Sequence, residues 1–98
     1  MKILFFGDVF GRPGREALAK IIPEWRAKYS PDVVIANSEN ISHGAGISEK
    51  AIREIREAGV NIMTGGNHSL EGKNAAQLLN DTSLPLLRPE NFVAGSPG

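Results

Sequence analysis

The chain has 98 residues and 10.5 kDa, with 11 basic against 11 acidic side chains, no cysteine, and 41% hydrophobic residues. A chain of this mass buries roughly 60–65% of its unfolded surface, enough for one modest core but not for two domains, and its 22% charged residues are too few for a disordered chain. Zero formal charge removes the electrostatic case for a general nucleic-acid binder, while the missing cysteines remove disulfides, thiolate zinc sites and cysteine nucleophiles together, in keeping with a cytoplasmic protein.

Ile3 to Phe6 form a short apolar run ending at Gly7-Asp8. That is too short for a signal peptide or a membrane span, and it reads as a strand buried on both faces. Pro13 suits a first helical turn, and Leu18, Ile21, Ile22 and Trp25 then recur at i, i+3, i+4 and i+7 on one helix face. Trp25 belongs with the core, and Pro23 is expected to kink or shorten this helix, which ends near Lys28. Ser30-Pro31-Asp32 is a turn, and Val33 to Ala36 is a second buried strand. Ser48 is the expected N-cap of a second helix, with Ile47 and Ile52 spaced as a hydrophobic staple and Gly59 as its stop. Val60 to Met63 forms a third strand that Asn61 weakens. A short helix over Lys73 to Asn80 follows, and then Leu84 to Leu87, where Pro85 marks an edge or a strand start. The residues from Phe92 to Gly98 read as loop. This order predicts an α/β fold, a parallel sheet with right-handed crossover helices covering it, in one domain over residues 1–98.

In open α/β sheets, ligands bind outside the carboxyl ends of the strands. Those ends carry Asp8, then Glu39-Asn40, then Asn67-His68, each about one βαβ unit (~30 residues) apart. The topology therefore delivers them to one rim. Carboxylates, carboxamide oxygens and an imidazole without thiolates suit Mn, Fe, Zn or Mg, and a bridging carboxylate suits a two-metal site that stabilises a phosphoryl transition state. Singly, each residue has an ordinary alternative. Asp8 could cap the following helix, Asn37, Asn40 and Asn67 could form turns, and His68 could be a surface histidine. Independent turns, however, have no reason to place such groups on three successive strand ends. His43, in a loop beside Gly44 and Gly46, is read as non-catalytic and substrate-facing. Arg12 and Arg15 could meet a phosphate near a helix start, or be simply solvated. Gly7, Gly11 and Gly14 lack the spacing of a dinucleotide fingerprint, and Asp8 would repel a pyrophosphate there.

The run from Lys2 to Arg15 with Gly-Asp8-Val-Phe-Gly-Arg-Pro-Gly, then Asn37-Ser-Glu-Asn40, Gly66-Asn-His68 and Arg88-Pro-Glu-Asn-Phe92, resembles the N-terminal part of the YmdB-like metallophosphoesterases. These are calcineurin-type 2′,3′-cyclic-nucleotide 2′-phosphodiesterases, and the likeness runs in order along essentially the whole chain. It implies the N-terminal half of an α/β sandwich and a binuclear centre of Fe or Mn. Asp8 would hold the first metal, Glu39 would bridge both, and Asn40 and Asn67 would serve the second. His68 would be the general acid, and a metal-activated water or hydroxide would attack a small phosphodiester or cyclic nucleotide. Leu70 stands where such proteins commonly carry tryptophan, a difference that bears on pocket shape.

The resemblance further implies that the family continues well beyond residue 98, where it supplies three histidine ligands, whereas this chain has only His43 and His68. The expectation is an N-terminal portion with part of a metal site, weak metal affinity and little turnover alone. The alternative is a non-catalytic α/β binding or assembly module that keeps part of the rim. In either case a sheet lacking further strands should self-associate or take up the missing C-terminal half.

Overall fold

The computed structural model describes all 98 residues. Strand and helix alternate as β1 (Ile3–Asp8), α1 (Gly11–Tyr29), β2 (Val33–Asn37), α2 (Glu49–Ala58), β3 (Ile62–Thr64) and α3 (Ala75–Asn80). The strands form one parallel sheet in the order β1-β2-β3, with Ile3 opposite Val33, Phe5 opposite Ile35, and Ile35 opposite Ile62. The α/β expectation holds.

Local chemistry explains most of the boundaries. The Ser48 hydroxyl accepts the Ala51 N–H at 3.2 Å, and Gly59 closes α2 in the left-handed conformation at φ +119°. Pro23 does not shorten α1, which continues to Tyr29. Pro23 and Ala19, the residue whose carbonyl loses its partner, both lie on the exposed side, where solvent has access to the freed carbonyl. The third strand starts later than Val60 because Asn61 is used differently. Its side-chain carbonyl accepts the Val34 N–H while its own N–H donates to the Val34 carbonyl, both at 2.8 Å, so it closes the end of the β2–β3 ladder. Leu84 to Leu87 contribute a single parallel bridge, Met63 with Leu86, beside β3.

Both crossovers step in the same direction along the sheet, and right-handed crossovers that do so place their helices on the same face. Val34, Ala36 and Met63 accordingly share one core with Leu18 and Ile22 of α1, Ile52 and Ile55 of α2, and Leu78 of α3. The opposite face has no helix. Ile3 and Phe5 are 53% and 59% exposed there, and Val33, Ile35 and Ile62 are half-buried. This corrects the expectation of a first strand buried on both faces. Trp25 is likewise half-buried; it lies outside the core and stacks on Phe6 at 5.7 Å between ring centroids.

An apolar sheet face next to an open β1 edge favours pairing between copies. On its own, the 98-residue chain is expected to self-associate, and Phe5→Lys should shift it toward monomer in light scattering at micromolar concentration. A strictly monomeric wild-type chain would contradict this.

Candidate functional site

The rim at the carboxyl ends of β1, β2 and β3 collects the polar groups that the sequence pattern places there. Asp8 is the last residue of β1 and pairs with Asn37 after a register shift between Phe6 and Asp8. It does not cap α1, whose N-cap is Phe10 and has no side-chain cap bond. Instead its Oδ1 accepts the Asn40 Nδ2 at 2.8 Å. Glu39 turns toward the next strand end, where its Oε2 accepts the His68 backbone N–H at 2.8 Å. Adjacent residues of the β2 loop thus hold a group from β1 on one side and the β3 loop on the other. The Asn67 side chain is exposed and makes no hydrogen bond, so it stands at the rim without being drawn into this network.

Gly66 makes the Glu39 arrangement sterically feasible. Any Cβ at this position would overlap the Glu39 carboxylate, so only glycine lets the carboxylate reach the His68 N–H. Behind it, the buried Ser69 hydroxyl accepts the Gly66 N–H at 2.8 Å, and the Ser38 hydroxyl donates to the Thr64 carbonyl at 3.0 Å. Neither serine was marked by the sequence pattern. Buried hydroxyls that satisfy loop backbone have no local signature beyond their residue type.

His68 pairs with a residue the sequence pattern also missed. Its Nδ1 lies 2.8 Å from Oε1 of Glu71, three residues on. That hydrogen bond is the main cause of an upward shift from the ordinary value of 6.5; desolvation opposes it, and the carboxylates of Glu71, Glu39 and Asp8 reinforce it. With Nδ1 held by Glu71, Nε2 is the atom left to carry a mobile proton. The i, i+3 spacing of His and Glu was the available signal.

Arg15 is not a free phosphate-binding group. Its Nε donates to Glu54 at 2.6 Å and its Nη1 to the carbonyl of Ile41, tying α1 to α2 and to the loop that carries Glu39 and Asn40. The same bond holds the Glu54 carboxyl below its usual range. Arg12 pairs with Glu16 on the surface. His43 is exposed and adopts φ +53°, a left-handed conformation uncommon outside glycine.

Nowhere in the chain do three or more Asp, Glu or His side chains converge closely enough to hold a metal ion by themselves. The rim nevertheless offers hard oxygen donors. Asn40 Oδ1 and Asn37 Oδ1 are buried with no hydrogen-bond partner. Flipping the Asn40 amide would set its oxygen against the Asp8 carboxylate, so the acceptor is left unsatisfied by the charge beside it. Leaving such an acceptor bare costs ~1–3 kcal/mol, and a hard cation ligated by oxygen would remove that cost. These residues fit part of a metal shell. A cavity of about 770 Å³ lies elsewhere, between α2 and α3, lined by Ile52, Val60, Leu78 and Leu84 among others.

The model of the YmdB-like protein family matches residues 4–98. The chain belongs to the YmdB-like family. It is 40% identical over 98 residues to the 2′,3′-cyclic-nucleotide 2′-phosphodiesterase of Bacillus subtilis (strain 168), covering all of this chain and 37% of that protein. Two solved structures superpose on it closely. One is a hypothetical protein from Thermus thermophilus, with TM-score 0.90 and 41% identity over 100% of this chain and 37% of its own. The other, described as a novel phosphatase, is from Mycoplasma pneumoniae, with TM-score 0.88 and 39% identity over 95% of this chain and 33% of its own. The chain therefore spans about a third of the length of these relatives. No helix is long and apolar enough to cross a membrane.

Gly66→Ala is expected to turn the Glu39 carboxylate away from the His68 N–H and, through the lost hydrogen bond, to lower stability by about 1 kcal/mol in thermal or urea melts; an unchanged midpoint would contradict the close approach. Glu71→Gln should lower the His68 pKa in an NMR titration. Because the folded-state value is raised, the His68–Glu71 pair stabilises the fold fully below about pH 6.5 and loses that contribution as pH rises through the folded-state pKa. Stability that rises over the same interval because of this pair would contradict the assignment.

Proposed function

We propose that this chain forms the metal-binding rim of a phosphodiesterase acting on 2′,3′-cyclic nucleotides, in the cytoplasm, with the remaining ligands coming from outside these 98 residues. The observation that carries the proposal is the joining of three strand ends into one network, Asp8 to Asn40 and Glu39 to the His68 backbone, with the Asn40 oxygen left unsatisfied. The names of the Bacillus and Mycoplasma relatives supply the reaction class.

In this reading Asp8 would hold one cation, Glu39 would serve both cations, and Asn40 and Asn67 would contribute amide oxygens. Fe or Mn suits such a donor set. The bound cations would supply an activated water and neutralise charge at the phosphoryl oxygens. His68, oriented through Nδ1 by Glu71, holds a proton at Nε2 for the departing oxygen, and the hydrogen bond to Glu71 favours the protonated ring. By itself the chain should bind metal weakly and turn over slowly, since His43 and His68 are its only histidines.

A second reading has its own support. With no cluster of three charged or imidazole ligands and with a bare apolar sheet face, the chain could serve as a non-catalytic binding or assembly module. Phosphodiester hydrolysis by the intact protein that carries these residues, measured with and without Mn²⁺, separates the two. The phosphodiesterase reading expects metal-dependent turnover that falls ~100-fold or more in His68→Ala. No turnover in the intact, metal-loaded protein would favour the module.

A further inference from the structure

A second feature of the rim remains unexplained by the metal ligands. Phe10 is 60% exposed, unlike the apolar residues of α1 that face the core. It stands two residues after Asp8. Its neighbour Gly11 donates its N–H to the Asn40 carbonyl at 2.9 Å, so the backbone under Phe10 is tied to the residue that grips Asp8. The ring rests against Gly44, where any Cβ would collide with it; glycine at φ +89° leaves a flat seat. The loop that forms this seat is itself held in place. Ser42 N–H donates to the Gly46 carbonyl at 3.1 Å and Ile47 N–H to the Glu71 carbonyl at 3.0 Å, which fastens it to the loop bearing His68.

An aromatic ring that is seated on one side, open on the rest and attached to the backbone of the site is suited to stacking a flat ligand group. Base–aromatic stacking tolerates different bases because every base has a π-face. The rim must stay open to admit a substrate, and a platform beside Asp8 stays open with it. We propose that Phe10, supported by Gly44, is a specificity-determining residue that stacks the nucleobase of a cyclic nucleotide whose phosphate lies at the Asp8–Asn40–Glu39 rim. This deepens the phosphodiesterase reading and rests on it. Leu70, 43% exposed on the neighbouring loop, is aliphatic and offers no such face.

The test compares a 2′,3′-cyclic nucleotide with ribose 2′,3′-cyclic phosphate, which lacks the base, in the intact protein carrying this chain. Turnover and equilibrium binding are both measured. Phe10→Ala is expected to raise KM for the nucleotide about tenfold at nearly constant kcat, the size of one lost stacking contact, and to leave the base-free compound unchanged. Phe10→Trp should restore the wild-type KM, and Phe10→Leu, which keeps an apolar side chain to preserve folding, should still show the loss. Equal effects on both compounds, or no effect on either, would overturn the platform while leaving the phosphodiesterase reading intact. Binding that depends on the base and on Phe10 without any turnover would support the platform and overturn the reaction. Absence of both binding and turnover would overturn both.

Discussion

The bond on which the rest of the rim depends is the one from the His68 backbone N–H to the Glu39 carboxylate. It joins the loops after β2 and β3, and it exists only because Gly66 has no side chain. Through the adjacent Asn40, the same stretch of backbone reaches Asp8 at the end of β1. A charge-assisted bond of this kind is roughly twice as strong as a neutral one. Here it also sets geometry, because it fixes where one carboxylate lies relative to an imidazole and a second carboxylate.

The scaffold around that bond follows from handedness. Two right-handed crossovers stepping the same way put all three carboxyl ends at one rim and the helices on one face. The arrangement that assembles the site is thus the one that leaves Ile3 and Phe5 exposed. Arg15 shows how the helical layer contributes. Its guanidinium, sited where a phosphate contact was conceivable, is taken up by Glu54 and the Ile41 carbonyl, and holds the Glu39–Asn40 loop against both helices.

The alternation of elements, the Ser48 cap and the positions of Asp8, Glu39, Asn40 and His68 on strand ends were legible in the sequence because each depends on local pattern or on topology alone. The bare sheet face was not. An apolar run such as Ile3 to Phe6 looks the same whether one face or two are covered, and only the direction of the crossovers decides. Pro23 misled for a related reason, since its cost depends on whether the freed carbonyl faces water. The partner of Gly66 was hidden more deeply, because the approach of the Glu39 carboxylate exists only once the β2 and β3 loops are set side by side. Glu71 lies on the same loop as His68, where the i, i+3 spacing was the one sign of their pairing.

Electrostatics at the rim bear on how such a site would handle an anionic diester. Among the groups bonded into the network, Asp8, Glu39 and Glu71 are acidic and only His68 can be positive. Arg15 is committed to Glu54, and Arg12 to Glu16. Two unit charges 4 Å apart interact by about 4 kcal/mol at an effective dielectric of 20, so carboxylates facing a phosphodiester without added positive charge would repel it. A rim built to bind phosphate directly would present arginines and backbone N–H groups, as helix N-terminal anion sites do. This one presents carboxylates and an unsatisfied amide oxygen, donors suited to cations. On the proposed phosphodiesterase reading, the sign of the rim would favour an order in which cations bind before the diester.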